Sequence, residues 1–197
     1  MEKIKYLIII YFMTPFSVLG QDFKLENLLC QIATNGEIAG FVENCHEPKI
    51  FPKIPIIPPI FSGKKLNTSS NYGYRIHPIL HTLKFHAGID LTTTETDTLI
   101  ATADGIIYQI GYHSDLGNFI SIQHQYGFMT LYGHLSMIFV KPNQKVSVGQ
   151  TIGLMGNSGM VTGKHLHYCL IKNGFYLNPI LIMYLFLKVP HQKINPH

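Results

Sequence analysis

The sequence predicts an all-β fold, a small antiparallel β sandwich or partly open barrel, preceded by an N-terminal extension. Three observations predict it. From residue 62 to residue 179, short runs rich in Ile, Val, Tyr and Phe alternate with glycine turns, the pattern of many short strands. Residues 105–110, 119–124, 129–135 and 151–155 are such runs, and twelve glycines from Gly73 to Gly163 punctuate them. Five of the 11 prolines fall within residues 48–59, so that stretch is expected to run extended or as polyproline II, not as helix. Only 13% of the 197 residues are charged, against roughly 25% in an ordinary domain, and 12% are aromatic, which argues for a buried core and against disorder.

The elements follow in chain order. Lys3 and Lys5 precede an apolar run over residues 6–13, and Val18, Leu19 and Gly20 then stand before Gln21. This pattern predicts a secretory signal peptide over residues 1–20, cleaved after Gly20. The alternative is a retained membrane anchor, and no apolar run reaches the ~18 residues that a span needs. No cysteine directly follows the cleavage point, which argues against a lipidated N terminus. Export permits a disulfide between Cys30 and Cys45. In the alternative, Cys30, Cys45 and Cys169 are all reduced and buried. With no CxxC pair, a structural four-cysteine zinc site is excluded.

Residues 21–61 read as an N-terminal segment, with a helical hint in Phe23, Leu25, Leu28, Leu29 and Ile32. The apolar residues between its prolines predict that the segment lies along the domain surface. Residues 62–180 form the β domain, and residues 181–197 a C-terminal tail. The apolar stretch 180–187 suits either a helix or a strand. Net charge is +4, from 15 basic and 11 acidic residues, and becomes +3 once Glu2, Lys3 and Lys5 are removed with the leader. Fourteen of the basic residues are Lys, and none cluster into a stripe, which argues against a nucleic-acid groove. A mildly basic surface suits a polyanionic wall or membrane.

The chain carries 11 histidines, eight of them between His77 and His167, a density that points to metal chemistry. Three pieces stand out: His86-Ala-Gly-Ile-Asp90, Tyr132-Gly-His134 and His165-Leu-His167-Tyr-Cys169. In a strand, residues two apart point to one face, so His165 and His167 look into one space. His86 and Asp90 would be roughly 13 Å apart in a straight strand, and Gly88 permits the bend that would join them. A catalytic zinc site uses three protein ligands and leaves a fourth position for water. Each piece alone is common by chance; their co-occurrence in a glycine-rich β domain is not. Tyr132, two before His134, either faces the same groove and donates a hydrogen bond or is a core tyrosine. His77 and His81 are expected at the groove rim, and His113 and His124 exposed near turns. Asp104-Gly105 reads as a turn.

The ordered motifs resemble the lysostaphin/LytM-type zinc metallopeptidases, metallopeptidase family twenty-three. Asn71-Tyr-Gly-Tyr-Arg-Ile-His-Pro78 and Lys84-Phe-His-Ala-Gly-Ile-Asp-Leu91 look like the opening of that family. The likeness continues through Thr130-Leu-Tyr-Gly-His-Leu-Ser136, Gly156-Asn-Ser-Gly159 and Gly163-Lys-His-Leu-His167 to Asn178-Pro179. It covers residues 66–180. The resemblance implies a lysostaphin-like β scaffold with a duplicated hybrid motif and one Zn²⁺ per chain, held by His86, Asp90 and His167. It implies that His134 and His165 flank a metal-activated water, without saying which is the base. Arg75, in this pattern, contacts a stem-peptide carboxylate or pairs with an acid such as Asp90.

The implied function is that of an exported, periplasmic or extracellular zinc endopeptidase acting on peptidoglycan peptides. The competing reading is a non-catalytic wall-binding or amidase-activating module on the same scaffold. Two departures are visible: Cys169 where many relatives carry an acidic residue, and Lys164 where many carry Pro. Neither is a ligand position, so effects are expected behind the ligands or in the groove, and not on metal binding.

Overall fold

The computed structural model describes residues 18–45, 47–60, 66–94 and 97–188. The signal-peptide expectation for residues 1–17 and the tail beyond residue 188 lie outside them. The centre is an antiparallel sheet. Its path runs β1 (Asn67–Ser70), β4 (Ile89–Thr92), β11 (Leu166–Lys172), β8 (Phe128–Ile138), β7 (Gly117–His124), β6 (Gly105–His113) and β9 (Lys145–Val146). The bent far end of β8 pairs with β10 (Thr151–Met155), which also pairs with β5 (Thr98–Ile100), and β12 (Phe175–Leu177) pairs with β11. β1 and β9 end the path without pairing to each other, so the described sheet does not close. β2 (Gly73–Ile76) and β3 (Leu83–His86) form a separate two-stranded ribbon.

Alternation decides the faces of β11. Leu166, Tyr168 and Leu170 point into the interior, with Lys172 on the same side, while His165, His167 and Cys169 share the other face by period two. Ile89, Leu91, Ile107, Ile120, Ile122, Tyr132, Leu135 and Tyr168 fill the first core. A second core lies further along β11, where Leu170, Phe128 and Leu177 meet the N-terminal extension.

That extension is helical where it was expected to be so, and also where it was not. α1 spans Val18–Gln31 and α2 Asn35–Asn44, and α2 starts with a capping box between Thr34 and Glu37. The expected cleavage point after Gly20 falls in the first turn of α1. Residues Pro48–Lys53 form a 3₁₀ turn, which corrects the wholly extended reading. Pro48 opens that turn, where its missing N–H costs nothing, and Ile50 and Phe51 bury into the second core. Beyond it the chain bends repeatedly without forming a helix, burying Ile54, Ile56, Ile57 and Ile60, and Ile60 bridges to Leu99. The segment therefore does pack against the domain. The apolar tail is helix α3 (Pro179–Lys188), docked on α2.

Polar ties fix the extension. Asn35 Nδ2 donates to the Asn178 carbonyl (2.9 Å), and the Asn178 N–H donates back to Asn35 Oδ1 (3.1 Å). Lys172 is fully buried and donates to the carbonyls of Tyr126 (2.5 Å) and Cys30 (3.4 Å), the latter in the last turn of α1. All three cysteines are free thiols, Cys30 exposed and Cys45 buried, so the Cys30–Cys45 bridge is not formed. No helix among the described residues is long and apolar enough to cross a membrane.

His124 corrects another expectation. It is buried, its Nδ1 on the Asp104 carbonyl (2.9 Å) and its Nε2 on Thr130 Oγ1 (2.8 Å). Burial pulls its pKa down to about 4.

Two outcomes follow from this architecture. Removing residues 21–60 uncovers Leu170, Phe128 and Leu177, so the shortened protein is expected to melt at lower temperature or aggregate, without gaining activity. Thermal melts and activity of the two forms check this. For His124, the unfolded chain takes up a proton between about pH 6.5 and pH 4 that the folded chain refuses, so this group's stability contribution is lost as pH falls through that window. Between pH 7 and pH 4.5, denaturant titration should show wild type losing on the order of 2 kcal/mol more stability than His124→Gln.

Candidate active site

The floor of the site is a register match. β4 and β11 pair so that Asp90 lies directly opposite His167. On its other side β11 pairs with β8, placing Gly133 opposite His167. His86 ends β3 and Ile89 begins β4, so the chain passes from ribbon to main sheet in two residues. Gly88 sits in that step. A Cβ there would lie 2.8 Å from Cys169 Sγ, so it is the close approach to β11 that demands glycine. The step folds His86 back over Asp90, with His86 Nε2 3.2 Å from Asp90 Oδ1.

Three donors converge there. His167 Nδ1 lies 3.0 Å from Asp90 Oδ1 and 3.0 Å from His86 Nε2. The donor atoms of His86, Asp90 and His167 all lie within 4.8 Å of one another, and all three residues are buried. His86 Nδ1 faces the Asn71 carbonyl at 2.8 Å, so its N–H is spent there and the Nε2 lone pair points inward. Burial penalises the Asp90 anion, but the hydrogen bonds and charges of His167 and His86 outweigh it and hold the carboxyl well below its usual range. Burial lowers the His167 pKa. An ionised carboxylate is the form in which Asp90 can serve a metal. Two nitrogens and one oxygen in this arrangement fit Zn²⁺.

Two further imidazoles flank these donors. The His134 and His165 rings are 4.6 Å apart, and the His134 and His167 rings 5.9 Å apart. Each spends Nδ1 on a carbonyl, His134 on Ser158 (2.9 Å) and His165 on Gly163 (2.8 Å). With Nδ1 so engaged, Nε2 is the nitrogen left to act in each ring. Burial lowers the His134 pKa to about 4, so the ring is neutral at neutral pH.

His134 reaches this position through a β-bulge. Asn118 pairs with Leu135 and Ile120 with Tyr132, so Phe119 alone faces both Gly133 and His134. His134 takes a left-handed φ of 64°, and its N–H donates to the Leu116 carbonyl at 2.6 Å. The extra residue breaks the period of two. Tyr132 and His134 consequently do not share a face, and the groove reading of Tyr132 is corrected. Tyr132 is fully buried, its hydroxyl bonded to the Thr102 N–H (3.2 Å) and Oγ1 (3.3 Å).

The five histidine and aspartate positions line one cleft of about 700 Å³. The β2–β3 ribbon forms one wall, with Arg75 and Lys84 as cross-strand neighbours. Arg75 is ion-paired to Asp90 Oδ2 at 3.4 Å. His77 lines the cleft as expected of a rim residue. His113 and Asp115 line it too, as do residues 160–162. Nothing in the sequence separates His113 from an ordinary turn residue, because its place depends on how β6 and β7 meet. Among the described residues, none from 18–60 lines the cleft.

Residues 84–179 match Peptidase family M23. The catalytic domain of the prophage-encoded M23 protein EnpA of Enterococcus faecalis, solved as a point variant, superposes with a TM-score of 0.53 at 33% identity, covering 64% of this chain and 95% of that domain. The chain belongs to peptidase family M23. Within the family, it is 43% identical over 114 residues to the DD-carboxypeptidase/endopeptidase Mpg of Neisseria meningitidis, a match covering 58% of this chain and 26% of that protein. It is 44% identical over 115 residues to the peptidoglycan DD-endopeptidase ShyA of Vibrio cholerae, covering 58% and 27%. The chain thus spans about a quarter of the length of these curated M23 relatives. The M23 match stops short of the N-terminal extension.

Because Tyr132 belongs to the core, Tyr132→Phe should cost about 1–3 kcal/mol of stability through the orphaned Thr102 N–H, leaving activity per folded molecule unchanged. Denaturant titration beside an activity assay corrected for folded fraction checks it.

Proposed function

We propose that this chain is an exported zinc endopeptidase that hydrolyses peptide bonds in the stem or cross-link peptides of peptidoglycan. The observation that carries the reading is the convergence of His86, Asp90 and His167 beneath the flanking imidazoles of His134 and His165 in an open cleft. The names of the M23 relatives, a peptidoglycan DD-endopeptidase among them, support the substrate class. Action on peptidoglycan calls for work outside the cytoplasm, and the leader pattern at residues 1–20 supports export.

His86 and His167 would hold the metal through Nε2 and Nδ1, and Asp90 through its carboxylate. When bound, Zn²⁺ supplies a Lewis acid and acidifies water to a pKa of roughly 7. The remaining steps belong to the protein. His134 and His165 offer Nε2 lone pairs at the cleft floor. Either can accept the proton of an attacking water. The imidazolium so formed can then donate to the departing amine or hydrogen-bond the developing oxyanion. The Ser158 and Gly163 carbonyls hold the two rings in the tautomer that this requires. Arg75 steadies Asp90 from outside the donor triad. A module that only bound the wall would need neither the convergent donors nor the flanking imidazoles.

The experiment separates ligands from proton carriers. Wild type should release peptide fragments from purified peptidoglycan, identified by mass spectrometry, and a chelator should abolish the release. His167→Ala, His86→Ala and Asp90→Ala should lose zinc and activity together. His165→Ala and His134→Ala should keep about one equivalent of zinc while activity falls by roughly 10²–10⁴-fold. Loss of zinc from His165→Ala with retention in His167→Ala would reverse the assignment. Wild type that binds zinc but releases no peptide would defeat the enzyme reading.

A further inference from the structure

His167 differs from the other imidazoles of the site in what holds its outer nitrogen. His86, His134 and His165 each direct Nδ1 at a backbone carbonyl, 2.8, 2.9 and 2.8 Å away. A carbonyl only accepts, so each of those rings is fixed with its proton on Nδ1. His167 is turned round. Its Nδ1 faces Asp90 Oδ1 and His86 Nε2, and its Nε2 faces Cys169 Sγ at 3.1 Å. A thiol both donates and accepts, so Cys169 fixes neither tautomer.

We propose that Cys169 is the positioning residue for His167, and that its thiol sets the zinc affinity of the site by exchanging hydrogen-bond roles as metal binds. The proposal rests on the metal reading above. Without metal, the Asp90 carboxylate accepts the His167 Nδ1–H, and the Cys169 S–H donates to Nε2. A metal on Nδ1 requires that nitrogen's lone pair. The ring proton then sits on Nε2 and is donated to the sulfur, whose own S–H rotates away. One proton changes nitrogen, and the ring gains and loses none.

Cys169 is buried at 3% exposure on the same face of β11 as His165 and His167. Its sulfur is packed against Gly88, where even a Cβ would come within 2.8 Å. The sulfur is thus pinned between the bend that delivers His86 and the ring that completes the donor set. Its effect reaches the ligand itself, which revises the expectation that this departure from the family pattern would leave metal binding untouched.

The first test needs no substitution. Long-range ¹H–¹⁵N spectra of the full chain should place the His167 proton on Nδ1 without zinc and on Nε2 with one equivalent of zinc. A ring already protonated on Nε2 in the metal-free protein would overturn the role exchange. The second test reads zinc dissociation constants by competition with a chromophoric chelator. Cys169→Ser keeps a donor–acceptor and should stay within about threefold of wild type, whereas Cys169→Ala and the volume-keeping Cys169→Val should weaken zinc by about 10–100-fold. Zinc binding by Cys169→Val as tight as by wild type would overturn the proposal, as would weakening of Cys169→Ser to the level of Cys169→Ala. Wild type that takes up no zinc at all would instead bring down the metal reading beneath it.

Discussion

A single buried carboxylate organises the centre of this molecule. Asp90 is about nine-tenths buried, and an anion taken that far from water persists only if polar partners surround it. Four side chains do so. His86 and His167 approach Oδ1 at 3.2 and 3.0 Å, His165 stands 3.7 Å from the same oxygen, and Arg75 takes Oδ2 at 3.4 Å. These partners come from three different elements and the loop before β11. The pairing of β4 with β11 is therefore a condition for the site, since a one-residue slip would turn Asp90 to the opposite face.

The rest of the fold supports that register. The core between the strands fixes which face of β11 is interior, and the second core clamps the far end of the same strand. Lys172 shows how tightly the extension is joined. Its buried ammonium reaches carbonyls at Tyr126 and Cys30, tying β11 to the end of α1. Because α1, α2 and the proline segment serve that second core, they lie away from the cleft and leave it open. The described residues of the extension are thus a structural part of this chain.

The cleft is assembled from pieces with different tolerances. β11 delivers His167, and the loop that enters it delivers His165 two residues earlier, on the same side by plain alternation. The ribbon delivers His86 and Arg75 through a two-residue step that leaves no room for a side chain at residue 88. β8 delivers His134 through a bulge and a left-handed backbone, anchored by the Leu116 carbonyl. Strain of this kind lasts only where neighbouring contacts over-determine it, and here the strand on each side of β8 supplies them.

The sequence by itself determined the fold class, the order of the motifs and the candidate donors. Alternating apolar strands between glycine turns and the His165-Leu-His167 spacing are local signals, and period-two geometry translates them directly. The convergence of His86 with Asp90 was also legible, because Gly88 allowed the bend. Tertiary structure alone decided the remainder. Tyr132 left the groove because a bulge reverses parity, and no local pattern marks which strand will bulge. His124 went inside because Asp104 and Thr130 meet it from elsewhere in the sheet. His113 and Asp115 joined the cleft because β6 and β7 meet at its wall. Residues 48–53 coiled into a 3₁₀ turn, since burial of Ile50 and Phe51 rewards a conformation that proline permits but does not require. Each of these outcomes depends on partners distant in sequence, and packing against such partners overrides what neighbouring residues prefer.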